Sequence, residues 1–150
     1  MKNIFILVLL MVSAKSFCQT VSVEDMIDFI KKPTHVSENY LHLKGFLLSD
    51  RRMALDDTIK TYRKRNDLVV LGWTWRTKEG DVLRESTYMT IDKTNFILLF
   101  GEVKSRFTMG TSSYEANKGR TIMFEDNYYK VQAFLSEIDS NFSSIKIVEK

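Results

Sequence analysis

The spacing of the apolar residues changes at Gly45, and that change limits the fold more than any other feature of the chain. Before Gly45, Val23, Met26, Ile27 and Ile30 recur at i, i+3, i+4 and i+7, which buries one face of a helix. After it, short apolar runs separated by polar turns read as strands. Helices set ahead of runs of strands, rather than alternating with them one by one, predict an α+β fold. The expected architecture is short helices packed on an antiparallel β-sheet.

Ser22 caps the first helix, residues 22–30, with Asp25 completing an imperfect capping box. Pro33 stops it. Thr34 is expected to cap a second helix that buries Val36, Tyr40 and Leu43 and ends at Gly45. Phe46 to Leu48 is a short strand, and residues 51–57 read as a polar connection. Residues 58–65, 68–75 and 82–91 form a three-stranded meander, turned at Asn66-Asp67 and at Glu79-Gly80-Asp81. The run from Leu68 to Leu71 is apolar on both faces, which suits a central strand. Phe96, Leu99, Phe100 and Val103 predict a third helix over 95–105 with Thr94 as its cap. Gly110 is expected to break the segment after it, and residues 120–125, 128–136 and 144–148 are three further strands.

The two halves echo one another, each a helix followed by a meander. Thr58-Ile59 matches Thr121-Ile122, and Ser86–Lys93 (STYMTIDK) matches Ser143–Lys150 (SSIKIVEK). The pattern predicts two tandem helix-plus-meander repeats sharing one sheet. That plan resembles a beta-lactamase-inhibitor-like protein in architecture alone, with no motif in common.

The chain opens with Met1-Lys2-Asn3, an unbroken apolar run from Ile4 to Val12, and then Ser16-Phe17-Cys18-Gln19. These are the three parts of a secretory signal peptide, and the ending Phe-Cys-Gln resembles leaders of exported proteins of Gram-negative bacteria. The apolar run is well short of the roughly 20 residues that span a bilayer. Cleavage after Cys18 leaves residues 19–150 as a single α+β domain, periplasmic or secreted, with no transmembrane span. A lipoprotein anchored through Cys18 is the alternative, but Lys15, Ser16 and bulky Phe17 stand where that processing prefers Leu and small residues. The loss of residues 1–18 removes Lys2 and Lys15, lowers the formal charge from +3 to +1, and leaves 132 residues without cysteine.

Few catalytic devices fit what remains. The six glycines never cluster into a phosphate loop. His35 and His42 are the only histidines, and no Gly-x-Ser-x-Gly elbow accompanies them. His35, Glu38 and His42 share one flank of the second helix at metal-ligand spacing, although a solvated helix face has the same pattern. The carboxylate pairs, such as Asp56-Asp57, fall in turns. No cofactor is expected, and the sequence leans away from an enzyme.

Charge is distributed unevenly. Residues 51–78 carry eight cations against three acids, an excess of +5 that leaves the rest of the mature chain at −4. Arg63, Arg65, Trp73, Trp75 and Arg76 form a basic, aromatic hairpin suited to an anionic protein or envelope ligand. A near-neutral exported chain is a poor nucleic-acid binder. The expectation is an exported envelope binding module without catalysis. The alternatives are a periplasmic inhibitor or immunity-type protein, a small envelope hydrolase, or the lipoprotein.

Overall fold

The computed structural model describes residues 21–53, 57–75, 82–138 and 141–150. The expected leader, the turn at Glu79-Gly80-Asp81 and Arg76 lie outside the described residues. Helices α1 (Val23–Lys31) and α2 (Thr34–Leu43) lead into strands β1 (Leu47–Met53), β2 (Asp57–Lys64), β3 (Asp67–Trp75) and β4 (Val82–Thr90). Helix α3 (Lys93–Arg106) then leads into β5 (Thr108–Glu115), β6 (Gly119–Glu125), β7 (Tyr129–Ser136) and β8 (Ser143–Glu149). All eight strands form one antiparallel sheet in the order β1-β2-β3-β4-β8-β7-β6-β5. The fold is α+β, two helix-plus-meander units joined edge to edge.

The join is made by the two segments that echo in sequence. In the β4–β8 ladder Tyr88 lies opposite Ile145. One row of residues crosses the whole sheet through that pair: Leu48, Tyr62, Val69, Tyr88, Ile145, Ala133, Ile122 and Ser112. A two-fold rotation centred on the Tyr88–Ile145 pair relates the two halves, so Ser86, Tyr88 and Thr90 correspond to Ser143, Ile145 and Ile147, all buried. The Thr58-Ile59 echo does not survive this register. Ile122 stands in the row where β2 has Tyr62, and Ile59 alternates to the opposite face.

All three helices pack on one face of the sheet. Helix α1 buries Val23, Met26, Ile27, Phe29 and Ile30, each contributing about 1.5–3 kcal/mol on full burial. Its capping box is complete: the Asp25 amide donates to Ser22 Oγ at 3.1 Å and the Ser22 amide to Asp25 Oδ2 at 2.9 Å. Ser86 Oγ donates to the Met26 carbonyl at 2.8 Å and fixes α1 on β4. The Val23 amide donates to Glu102 Oε2 at 2.8 Å and fixes α1 to α3. Tyr40 donates its hydroxyl to Asp25 Oδ1 at 2.6 Å and ties α2 to α1. The opposite face carries half-buried Leu68, Val70, Met89, Met123 and Phe134, and no described helix covers it.

Several local expectations are corrected. Residues 51–53 extend β1 rather than forming a connection, because an edge strand needs only one paired side and tolerates a polar sequence. The meander therefore has four strands. Asp67 belongs to β3, and the β2–β3 turn is Arg65-Asn66, with Arg65 at φ +52°. Asp92, not Thr94, caps α3 by accepting from the Thr94 and Asn95 amides. Gly110 does not break β5; the ladder shifts register between Met109 and Ser112 and continues. Helix α2 buries Ser37 and Leu41, whereas Val36 and Leu43 are exposed and Tyr40 is half-buried. The helix is turned so that Glu38 faces β2, where Lys60 and Tyr62 receive it.

Candidate functional site: a cationic cleft at the helix corner

Pro33 breaks the chain between α1 and α2, and the corner it makes stands over the first four strands. A cleft of about 600 Å³ lies under it, lined by Lys31, Lys32, Pro33, Thr34, Arg51, Thr58, Lys60, Trp73 and Arg84. Five of those nine residues are cations, and none carries a carboxylate. That volume falls in the range of small-molecule sites.

Sheet register explains the floor. Thr58 pairs with Trp73, and Trp73 with Arg84, so these three side chains form a row across β2, β3 and β4. The next row places Arg51 opposite Lys60. Directly opposed like charges destabilise a sheet, so this pairing has a cost in the absence of an anion.

Among the described residues, each cation of the lining except Arg51 has an anchor. Lys60 forms an ion pair with Glu38, which also accepts from the Tyr62 hydroxyl at 2.8 Å. Arg84 donates one guanidinium N–H to the Ile30 carbonyl at 3.1 Å, leaving further N–H groups. Lys32 pairs with Asp28, and Lys31 lies over the Tyr129 ring at 5.7 Å. Glu38 and Asp28 stand outside the lining. Set against the five cations, they leave an excess of three positive charges at the cleft among the described residues.

Burial acts to raise the Glu38 pKa, but the Lys60 and Tyr62 hydrogen bonds and the Lys60 charge outweigh it and hold the carboxyl below its ordinary value. Burial, then the bond to Glu38, pushes the Tyr62 hydroxyl well above the usual phenol range. The N-terminus of α2 adds to the positive field. Pro33 and Thr34 border the cleft, and no side chain caps that end, so the positive end of the helix dipole is directed there.

The residues singled out in sequence are only partly gathered here. Trp73 lines the cleft and packs against the core. Arg63 pairs with Leu68, is exposed, and alternates to the uncovered face of the sheet. It is five residues along β2 from Thr58, about 17 Å from the Trp73 row. Arg65 is exposed in the turn. The Trp75 side chain, like Arg76, is outside the described residues. His35 and His42 are exposed, and neither lines the cleft; Glu38 between them is committed to Lys60. Among the described residues no group of three metal-ligating side chains converges, and no helix is long and apolar enough to cross a membrane.

Sequence reasoning missed Lys31, Lys32 and Arg84, and it counted Arg51 and Lys60 within the charge excess of residues 51–78 without singling them out. The five come from α1, the residue after it, β1, β2 and β4, and only the tertiary fold brings them together. The two-fold-related position in the second half has different chemistry. There the row Tyr114–Arg120–Leu135 corresponds to Arg51–Lys60–Leu71. The cleft beside it, about 580 Å³, has Phe96, Ile97 and Phe100 in its wall. The cationic character is thus particular to the first half. Comparison with family models, with curated proteins and with solved structures gives no match to this chain.

Proposed function

We propose that the protein is an exported, non-catalytic binding module that takes an anionic ligand in the cleft under the α1–α2 corner. The observation that carries this reading is the lining itself, which among the described residues has five cations and a tryptophan with no carboxylate. Export rests on the leader, with its charged start, nine-residue apolar run and small residues before Gln19. The anionic ligand expected from the basic hairpin is retained, with Trp73 still part of its seat, Lys60 added near the hairpin root, and Arg63 and Arg65 at the tip left out.

The test is thermal unfolding of the purified protein with increasing pyrophosphate at low salt. A ligand that binds only the folded state raises the melting temperature by mass action. Arg84→Gln and Lys60→Gln should each weaken the rise, and added salt should reduce it. No rise, or a rise unaltered in both variants, contradicts the proposal.

A further inference from the structure

We infer that the anionic groups recognised by the cleft are carried on a sugar: a saccharide bearing two or more phosphate or carboxylate groups, its ring laid against Trp73. The inference rests on the anion-binding reading above and extends it to a ligand class.

Size argues first. A cleft of about 600 Å³ matches a ligand of ring-containing dimensions rather than a lone oxyanion. Charge argues second. The cations stand on both sides of Trp73, with Lys60 and Arg51 on β2 and β1 and Arg84 on β4. One monoanion would leave most of the three excess charges unmatched, whereas two anionic groups flanking a ring meet both sides.

The neutral part of the lining is the third argument. Among the described residues it consists of Trp73, Pro33, Thr34 and Thr58. A hydroxyl both donates and accepts, so the threonines suit ligand hydroxyl groups. The electron-rich indole face suits the C–H face of a saturated ring. A nucleobase presents fixed donor and acceptor edges, and among the described residues the lining holds no Asn, Gln, Asp or Glu side chain to read them.

The experiment is calorimetric titration of the purified protein at low salt with four probes: glucose 1,6-bisphosphate, inorganic phosphate, glucose and adenosine diphosphate. Glucose 1,6-bisphosphate is expected to bind about tenfold or more tighter than inorganic phosphate, the ring contact and second charge adding together. Glucose alone should give no measurable heat. Trp73→Phe, which keeps apolar bulk in the core, should lower the affinity for the sugar bisphosphate by a larger factor than the affinity for inorganic phosphate. Thr58→Val should do the same without touching the aromatic wall.

Equal affinity for phosphate and the sugar bisphosphate would overturn this inference while leaving anion binding intact. Tighter binding of adenosine diphosphate would overturn the saccharide assignment. Binding of none of the charged probes would remove the anion-binding reading itself.

Discussion

Arg51 stands directly opposite Lys60 in the β1–β2 ladder, on the face that meets the helices. Two cations in that relationship repel, and among the described residues Lys60 is balanced only by Glu38 reaching down from α2. The pairing suits binding rather than stability. Arg51→Thr should therefore stabilise the ligand-free protein slightly, by about 0.2–1 kcal/mol, and weaken pyrophosphate binding. Urea unfolding and a binding titration of the same variant check the two signs together.

Glu38→Gln should separate the same two quantities in the opposite direction. It removes the carboxylate that neutralises Lys60 and accepts from Tyr62, at a cost of about 1–3 kcal/mol. It also removes a negative charge from beside the cleft, so anion affinity should rise. A loss of affinity together with the loss of stability would contradict the assignment of Glu38 as a support outside the ligand's contacts.

The Glu38 carboxyl also makes stability depend on pH. Its folded-state pKa is lowered from the unfolded value of 4.5, so the unfolded state binds more protons in the interval between the two. Its contribution is present above about pH 4.5 and is lost as the pH falls through the folded-state value. The stability difference between wild type and Glu38→Gln should therefore be constant near neutral pH and shrink in acid. A difference that stayed constant or grew in acid would contradict the stated Lys60 and Tyr62 partnership.

Gly119 opens β6 at φ +141°, and a Cβ built there falls 2.1 Å from the Leu135 carbonyl oxygen. Both the backbone conformation and the space exclude a side chain. Gly119→Ala should cost about 2–4 kcal/mol or more, measured by chemical unfolding. A near-neutral result would mean that the β6–β7 ladder is not paired as described.

Mass spectrometry of protein recovered from an exporting host checks the leader. The expected mature chain starts at Gln19, free or cyclised. A diacylglyceryl group on Cys18 would instead identify a lipoprotein.

The elements legible in sequence were those whose signal is local. Ser22 and Asp25 announced α1, Pro33 its end, and the apolar run at Leu68 an interior strand. The match between 86–93 and 143–150 pointed to two segments that prove to be the central strand pair. The misread elements depended on partners distant in sequence. Polar Arg51 and Arg52 form a strand only because β2 supplies a ladder. Glu38 turns inward only because Lys60 and Tyr62 await it, which rolls Val36 and Leu43 out to solvent. The site was half visible for the same reason. The charge excess in 51–78 was readable, but the cleft also needs Lys31, Lys32 and Arg84, whose convergence depends on α1 lying across β4.

The central claim is that anions bind at the helix corner and not elsewhere on the basic hairpin. The most direct measurement is an NMR titration of isotopically labelled protein with pyrophosphate at low salt. Resonances of Trp73, Lys60, Arg84 and Thr34 should move together along one binding curve, while Arg63, Leu68 and Met89 on the uncovered face stay in place. Shifts centred on Arg63 and Arg65, with Trp73 and Arg84 unmoved, would contradict the account.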